Sequence, residues 1–274
     1  MVTASGTWKT LTEGENSEGI VLAVDFDTTG RPEARFSDLV ANMGSTFEVW
    51  ESVPPNVAPG HSLSGADYVD HWAARLEAER PEVHAILGFC GGAVYASALA
   101  ERIGRLQGFE PKLVVFDPEL STAQTLFWQF HKVIGFLSDT LSAPEIAEAR
   151  SIGEEAFRRI TEAVALKDEL LRLMREFGMP ALERIGLDET RREELFSVFD
   201  SFLCYLAAAS EIDPRRQWRS AVAFNSTSAL SGLNAMRSAG VEIEVGREIT
   251  VEADHGTLLS DKDMAGAVVD LLKS

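Results

Sequence analysis

Apolar runs and amphipathic stripes alternate along the first 118 residues. Gly19-Ile-Val-Leu-Ala-Val-Asp-Phe26 reads as a buried strand, and Asp27-Thr-Thr-Gly-Arg-Pro32 closes it as a turn. Phe36, Leu39, Val40 and Met43 recur at three- and four-residue steps, which predicts a helix with one apolar stripe and Gly44 as its stop. Thr46–Trp50 alternates as a second strand before Pro54 and Pro55 break it. Ser64–Glu79 follows as a helix, with Tyr68, Trp72 and Leu76 four apart on one face. Residues 83–87 form a further buried strand, Ala93–Ile103 a helix, and Lys112–Phe116 a short strand ending at Asp117-Pro118. Strand and helix in alternation predict a parallel sheet with crossover helices, the α/β class.

From residue 119 to 215 helical segments take over and the strand pattern stops. Ser142-Ala-Pro-Glu145 is a capping box, Asp188 caps a second helix, and Gly178 with Pro180 is expected to punctuate the stretch between them. Strand patterning resumes at Ser220–Phe224, Val241–Val245 and Glu248–Ala253, and Met264–Leu272 closes as a helix. The expected organisation is a core of residues 1–118 and 216–274, with 119–215 as a helical insertion between late strands.

The chain has 274 residues, 45% of them hydrophobic, which is enough for a substantial core. A net charge of −18 argues against nucleic acid or an anionic membrane surface as partner, because phosphate binding needs a concentrated basic face. No apolar run reaches the length of a membrane span, and the N-terminus lacks the pattern of a signal peptide, so a cytoplasmic location is expected. Two cysteines, Cys90 and Cys204, are too few for a disulfide framework, and the five histidines show no metal-ligand spacing. Neither a metal nor a bound cofactor is implied.

Gly88-Phe-Cys-Gly-Gly92 has the spacing of a nucleophile elbow, in which small neighbours let a strained strand-to-helix turn project its central residue, here Cys90. The adjoining helix N-terminus favours negative charge, so it would lower the thiol pKa and let the Gly91 N–H bind an oxyanion. A thiol attacking a carbonyl needs a base, and the base needs an orienting acid. His255, in Ala253-Asp-His-Gly-Thr-Leu-Leu259, directly follows the last predicted strand. Asp117 ends the strand after the elbow helix. The next strand, at Phe224-Asn-Ser-Thr-Ser-Ala-Leu-Ser-Gly232, carries no carboxylate, which strengthens Asp117 as the acid. Thr28, in the turn after the first strand, is the candidate second oxyanion donor. Phe89 in the elbow and Phe127 and Phe130 in the insertion are candidate contacts to an apolar acyl group.

This ordered set resembles the thioesterases of nonribosomal peptide and polyketide assembly lines, a branch of the α/β-hydrolases. The segments that carry the resemblance are Val-Asp-Phe-Asp-Thr-Thr-Gly30, Trp50-Glu-Ser-Val-Pro-Pro, Leu-Gly-Phe-Cys-Gly-Gly92, Leu-Val-Val-Phe-Asp117 and Asp-His-Gly-Thr-Leu-Leu259. The resemblance implies an α/β-hydrolase fold with a helical lid, a Cys90–His255–Asp117 triad, and an acyl or peptidyl carrier protein as partner. It also implies release, by hydrolysis or cyclisation, of an acyl or peptidyl group held as a phosphopantetheine thioester. Most members of that family use serine at the elbow. An acyl-cysteine is itself a thioester and keeps the group activated, so a carrier-to-carrier acyl or aminoacyl shuttle is the alternative. A non-catalytic α/β-hydrolase-like binding protein is the alternative of another class. Arg215, Arg216 and Arg219 form the one compact basic cluster a carrier could meet.

Overall fold

In chain order the elements are β1 (Ala4–Ser5), β2 (Trp8–Glu13), β3 (Ile20–Val24), α1 (Phe36–Met43), β4 (Glu48–Ser52), α2 (Gly65–Glu79), β5 (Val83–Phe89), α3 (Gly92–Gln107) and β6 (Lys112–Phe116). Four helices follow: α4 (Ala123–Phe136), α5 (Ala143–Arg159), α6 (Ala163–Arg184) and α7 (Glu189–Ala209). The chain ends with α8 (Arg215–Trp218), β7 (Val222–Ser226), α9 (Gly232–Ser238), β8 (Arg247–Val251) and α10 (Lys262–Lys273). This is a computed structural model, and it describes residues 4–14, 19–27, 33–44, 47–57 and 61–274. The chain divides into two units, Met1–Asn56, Gly65–Leu120 and Ile212–Ser274 forming one, and Val57–Ser64 with Ser121–Glu211 the other.

The first unit is built on an eight-stranded sheet of order β1-β2-β4-β3-β5-β6-β7-β8. β2 runs antiparallel to β1 and β4, and every pairing from β4 to β8 is parallel. β3 is buried at all five positions, as a strand covered by helices on both faces must be. Val21, Ala23, Ala85, Leu87, Val114 and Phe116 join one core with Phe36, Leu39, Val40 and Met43 of α1 and Met264, Val268 and Leu272 of α10. The alternate strand residues, Leu22 and Ile86 among them, turn to the opposite face, and a Cβ on Gly88 of β5 would touch Ala96 of α3 at 2.7 Å. One register matters for everything below. Phe89 pairs with Phe116, Phe116 with Phe224, and Phe224 with Ile249, so the last residues of β5 and β6 stand level with positions two residues before the ends of β7 and β8.

The second unit holds α4 to α7. Ser142 and Glu145 form the expected capping box, with Ser142 N–H donating to Glu145 Oε2 at 2.7 Å, and Asp188 accepts from Arg191 N–H at 2.9 Å. The expected break at Gly178 and Pro180 is corrected: α6 runs through both. A proline inside a helix costs about 3 kcal/mol, and the long buried face of α6, with Leu166, Leu170, Leu173, Ala181 and Leu182, outweighs it.

The strand expected at Val241–Val245 is also corrected. That segment is irregular, and Arg247–Val251 alone pairs with β7. Only Gly246 separates the two stretches, which is far short of the crossover a parallel neighbour needs. The second strand lies at Glu48–Ser52 and the strand at Ser220–Phe224 at Val222–Ser226, each two residues later than the apolar pattern alone places it. Among the described residues no helix is long and apolar enough to cross a membrane.

Candidate active site

Cys90 follows β5 directly and has φ 52°, a left-handed conformation that costs a non-glycine residue about 1 kcal/mol or more. The flanking glycines make the turn possible. A Cβ on Gly88 would stand 2.6 Å from Ala93 Cα, and one on Gly92 would stand 2.3 Å from Val24 O. Helix α3 therefore starts against both β5 and the end of β3, and no larger residue fits at either position. Cys90 N–H donates to Phe116 O at 2.9 Å, which ties the elbow to β6, and its side chain is partly exposed. Gly91 is the N-cap of α3, and among the described residues no acceptor takes its N–H.

Asp117 stands just past β6, fully buried, with φ 42°. Its N–H donates to Phe224 O at 2.9 Å. Three donors converge on the carboxylate. Ser226 N–H meets Oδ1 at 2.7 Å, Ser226 Oγ–H meets Oδ2 at 2.6 Å, and His255 Nδ1–H meets Oδ2 at 2.8 Å.

His255 follows β8, and its N–H donates to Ser228 Oγ at 2.8 Å. The ring of Phe89 stacks on the imidazole, centroids 4.8 Å apart. With Nδ1 taken by Asp117, Nε2 is the ring nitrogen left for Cys90, the other group that acts on this imidazole. Burial pulls the imidazolium down, but hydrogen bonds to Asp117 and Cys90, with their charges, outweigh it and raise His255 to about 10. The arrangement sets the imidazole near the Cys90 sulfur and anchors it from behind with a buried carboxyl group.

Cys90, His255, Asp117 and Gly91 thus meet at one sheet edge, each just past the end of a neighbouring strand or at the helix start beside it. Thr28 lies outside the described residues. Phe89 is 2% exposed and spends its ring on His255. Phe127 and Phe130 belong to the helical unit, where Phe127 stacks on Phe157 at 4.8 Å and Phe130 lies under Gly153. Arg215, Arg216 and Arg219 each have a carboxylate neighbour: Asp213 at 3.0 Å, Glu101 at 3.9 Å and Glu244 at 3.1 Å respectively. Sequence reasoning missed Ser226 and Ser228. The signal was the end of β7 and the turn after it, which hold hydroxyls where a carboxylate was sought.

Sheet order, elbow and the helical insertion define an α/β-hydrolase fold. Solved structures share it. A Vlm2 thioesterase domain, with genetically encoded 2,3-diaminopropionic acid bound with a dodecadepsipeptide, is 14% identical, with TM-score 0.53 and 96% of this chain covering 95% of that one. The four-domain nonribosomal peptide synthetase AB3403, in its holo form with AMP and glycine, is 13% identical with TM-score 0.55, and 97% of this chain covers 20% of it. An enol-lactonase from Burkholderia xenovorans LB400 is 16% identical with TM-score 0.52 over the full length of both chains. No family model matches the sequence, and no curated protein matches it.

Proposed function

We propose that this protein is a thioesterase-like acyltransferase that takes an acyl or peptidyl group from a carrier-protein phosphopantetheine thioester through an acyl-Cys90 intermediate. The observation that carries the reading is the 2.8 Å contact between His255 Nδ1 and Asp117 Oδ2, with Cys90 acting on the same imidazole from an elbow at positive φ. The Cys90 thiolate attacks the thioester carbonyl, and the oxyanion is received by the Gly91 N–H and a second donor expected at Thr28. The carbon–sulfur bond to pantetheine breaks, and the departing sulfur takes the proton from His255 Nε2. Acylation also removes the Cys90 charge, one of the influences that hold His255 high, so the imidazole becomes a better base for the second half. It then takes a proton from the incoming nucleophile, and the sulfur leaves. Likeness in fold to thioesterase domains and to a nonribosomal peptide synthetase supports this choice of donor.

Intact-protein mass spectrometry after mixing with an acyl-loaded carrier tests it. The expected result is an adduct that maps to Cys90 and is absent from Cys90→Ala. Loss of the adduct to water or to a cyclic product marks release, and passage to a second carrier marks a shuttle, which the thioester nature of acyl-cysteine favours. A Cys90→Ala protein with wild-type turnover of acyl thioesters overturns the proposal. Burial pushes the Cys204 thiol up to about 11, against the opposing charge of Lys167, so at pH 8 it is thiolate in about one molecule in a thousand. A thiol reagent that labelled Cys204 as fast as Cys90 would turn the reading toward a non-catalytic binding protein.

A further inference from the structure

The end of β7 and the residues just after it touch both the acid and the base. Ser226 Oγ–H donates to Asp117 Oδ2, while Ser228 N–H donates to Ser226 Oγ at 3.3 Å and so turns that hydroxyl proton toward the carboxylate. Ser228 Oγ in turn accepts the His255 N–H, and Thr227 N–H donates to Ala253 O at 3.0 Å. Three consecutive residues therefore clamp the His255 loop and the Asp117 side chain together. On the other side of Asp117 a Cβ at Gly232 would lie 2.8 Å from Oδ1, so the close approach of the chain to the carboxylate there requires glycine. Ser226 is fully buried, and among the described residues its hydroxyl donates to Asp117 alone.

We propose that Ser226 is a positioning residue for the acyl transfer: its hydroxyl, oriented by Ser228, shares Asp117 Oδ2 with His255 and sets how strongly the carboxylate holds the imidazole proton. The inference rests on the reading of Cys90, His255 and Asp117 as the reacting set. With the hydroxyl present Oδ2 is shared between two donors, while Ser226 N–H holds Oδ1. Without it Nδ1–H is the one donor left on Oδ2, and His255 gives up and takes protons at higher pH. The ionisable groups acting on His255 are Asp117, past β6, and Cys90, past β5. Removing Cys90 therefore isolates the Asp117 contribution.

The test is NMR titration of the His255 imidazole in full-length Cys90→Ala and Cys90→Ala/Ser226→Ala proteins. Loss of one charge-assisted hydrogen bond is expected to raise the midpoint by about one pH unit and move the Nδ1–H resonance downfield. Cys90→Ala/Ser226→Thr, which keeps the hydroxyl, should restore both. In the otherwise native protein Ser226→Ala should lower kcat for transfer from a loaded carrier roughly tenfold, with KM unchanged. An unmoved midpoint and resonance, or a threonine variant that behaves like the alanine one, overturns the proposal. Should the alanine protein not fold, Ser226→Cys replaces it, and its weaker donor must move the midpoint in the same direction. The titration needs no acyl substrate. If no carrier transfers to the wild type while the midpoint still moves, the carrier reading fails and the role of Ser226 stands.

Discussion

Phe89 lies nearly flat against His255, the two ring planes inclined by 19° with centroids 4.8 Å apart. The residue before the elbow thus supports the imidazole beside the elbow cysteine. Alternation along β5 puts Leu87 and Phe89 in the same core cluster, and Cys90 steps off the strand end beside them. An aromatic contact of this kind is worth about 0.5–1.5 kcal/mol beyond its buried area. Phe89→Leu keeps most of the volume and loses the stack, so kcat/KM for an acyl thioester should fall roughly 2- to 10-fold while the folded state survives. Steady-state kinetics alongside a melting curve would separate the two effects.

The raised imidazolium links stability to pH. His255 stands at about 10 against an ordinary 6.5, so its contribution is complete below about pH 6.5 and drains away as the pH climbs toward 10. The unfolding free energy of wild type minus that of His255→Gln should therefore decline across this window, as read from urea titrations at fixed pH. Alkylating Cys90 with iodoacetamide removes one of the raising partners and should end the decline at lower pH.

Gly92 is required by contact as well as by its place at the start of α3. Its missing side chain leaves room for Val24 O, which a Cβ would approach to 2.3 Å. Gly92→Ala should destabilise the protein by about 1–3 kcal/mol or more and slow alkylation of Cys90. Gly256, next to His255, has open space where a Cβ would stand, with nothing within 4 Å, so Gly256→Ala should stay within about 0.5 kcal/mol of wild type. Chemical denaturation of the two variants checks the contrast.

Glu51 on β4 is 1% exposed, and burial raises its carboxyl to about 7, against the pull of Lys9, whose Nζ lies 3.1 Å from Oε2. The charges of Asp27 and Asp25 add to the rise. Between its ordinary 4.5 and 7 the folded chain keeps a proton that the unfolded chain has released, so this group costs stability as the pH increases. The melting temperature of Glu51→Gln relative to wild type should climb across that interval and level off above it. A flat difference from pH 4 to 8 would contradict the assignment.

Much of the candidate site's placement was legible because it follows from local pattern and chain order. An apolar run, Gly88-Phe-Cys-Gly-Gly92 and a helix-forming stretch specify a strand, a tight turn and a helix within one short segment. Asp117 and His255 each close a predicted strand, and adjacent parallel strands bring their ends to one edge. Local pattern also predicted α1 from Phe36 to Met43, because one stripe and one stop residue are enough to bound a helix. What tertiary structure decided are matters of partnership. Val241–Val245 has strand patterning and no strand, since pairing needs an available edge and a crossover to reach it. Pro180 sits inside α6 because packing along a long buried face exceeds a local penalty that sequence alone weighs in isolation. Ser226 and Ser228 read as ordinary loop residues until the register of β6, β7 and β8 sets one against Asp117 and the other against His255. Hydrogen bonds between segments far apart in the chain leave no period in it, so their partners exist only in three dimensions.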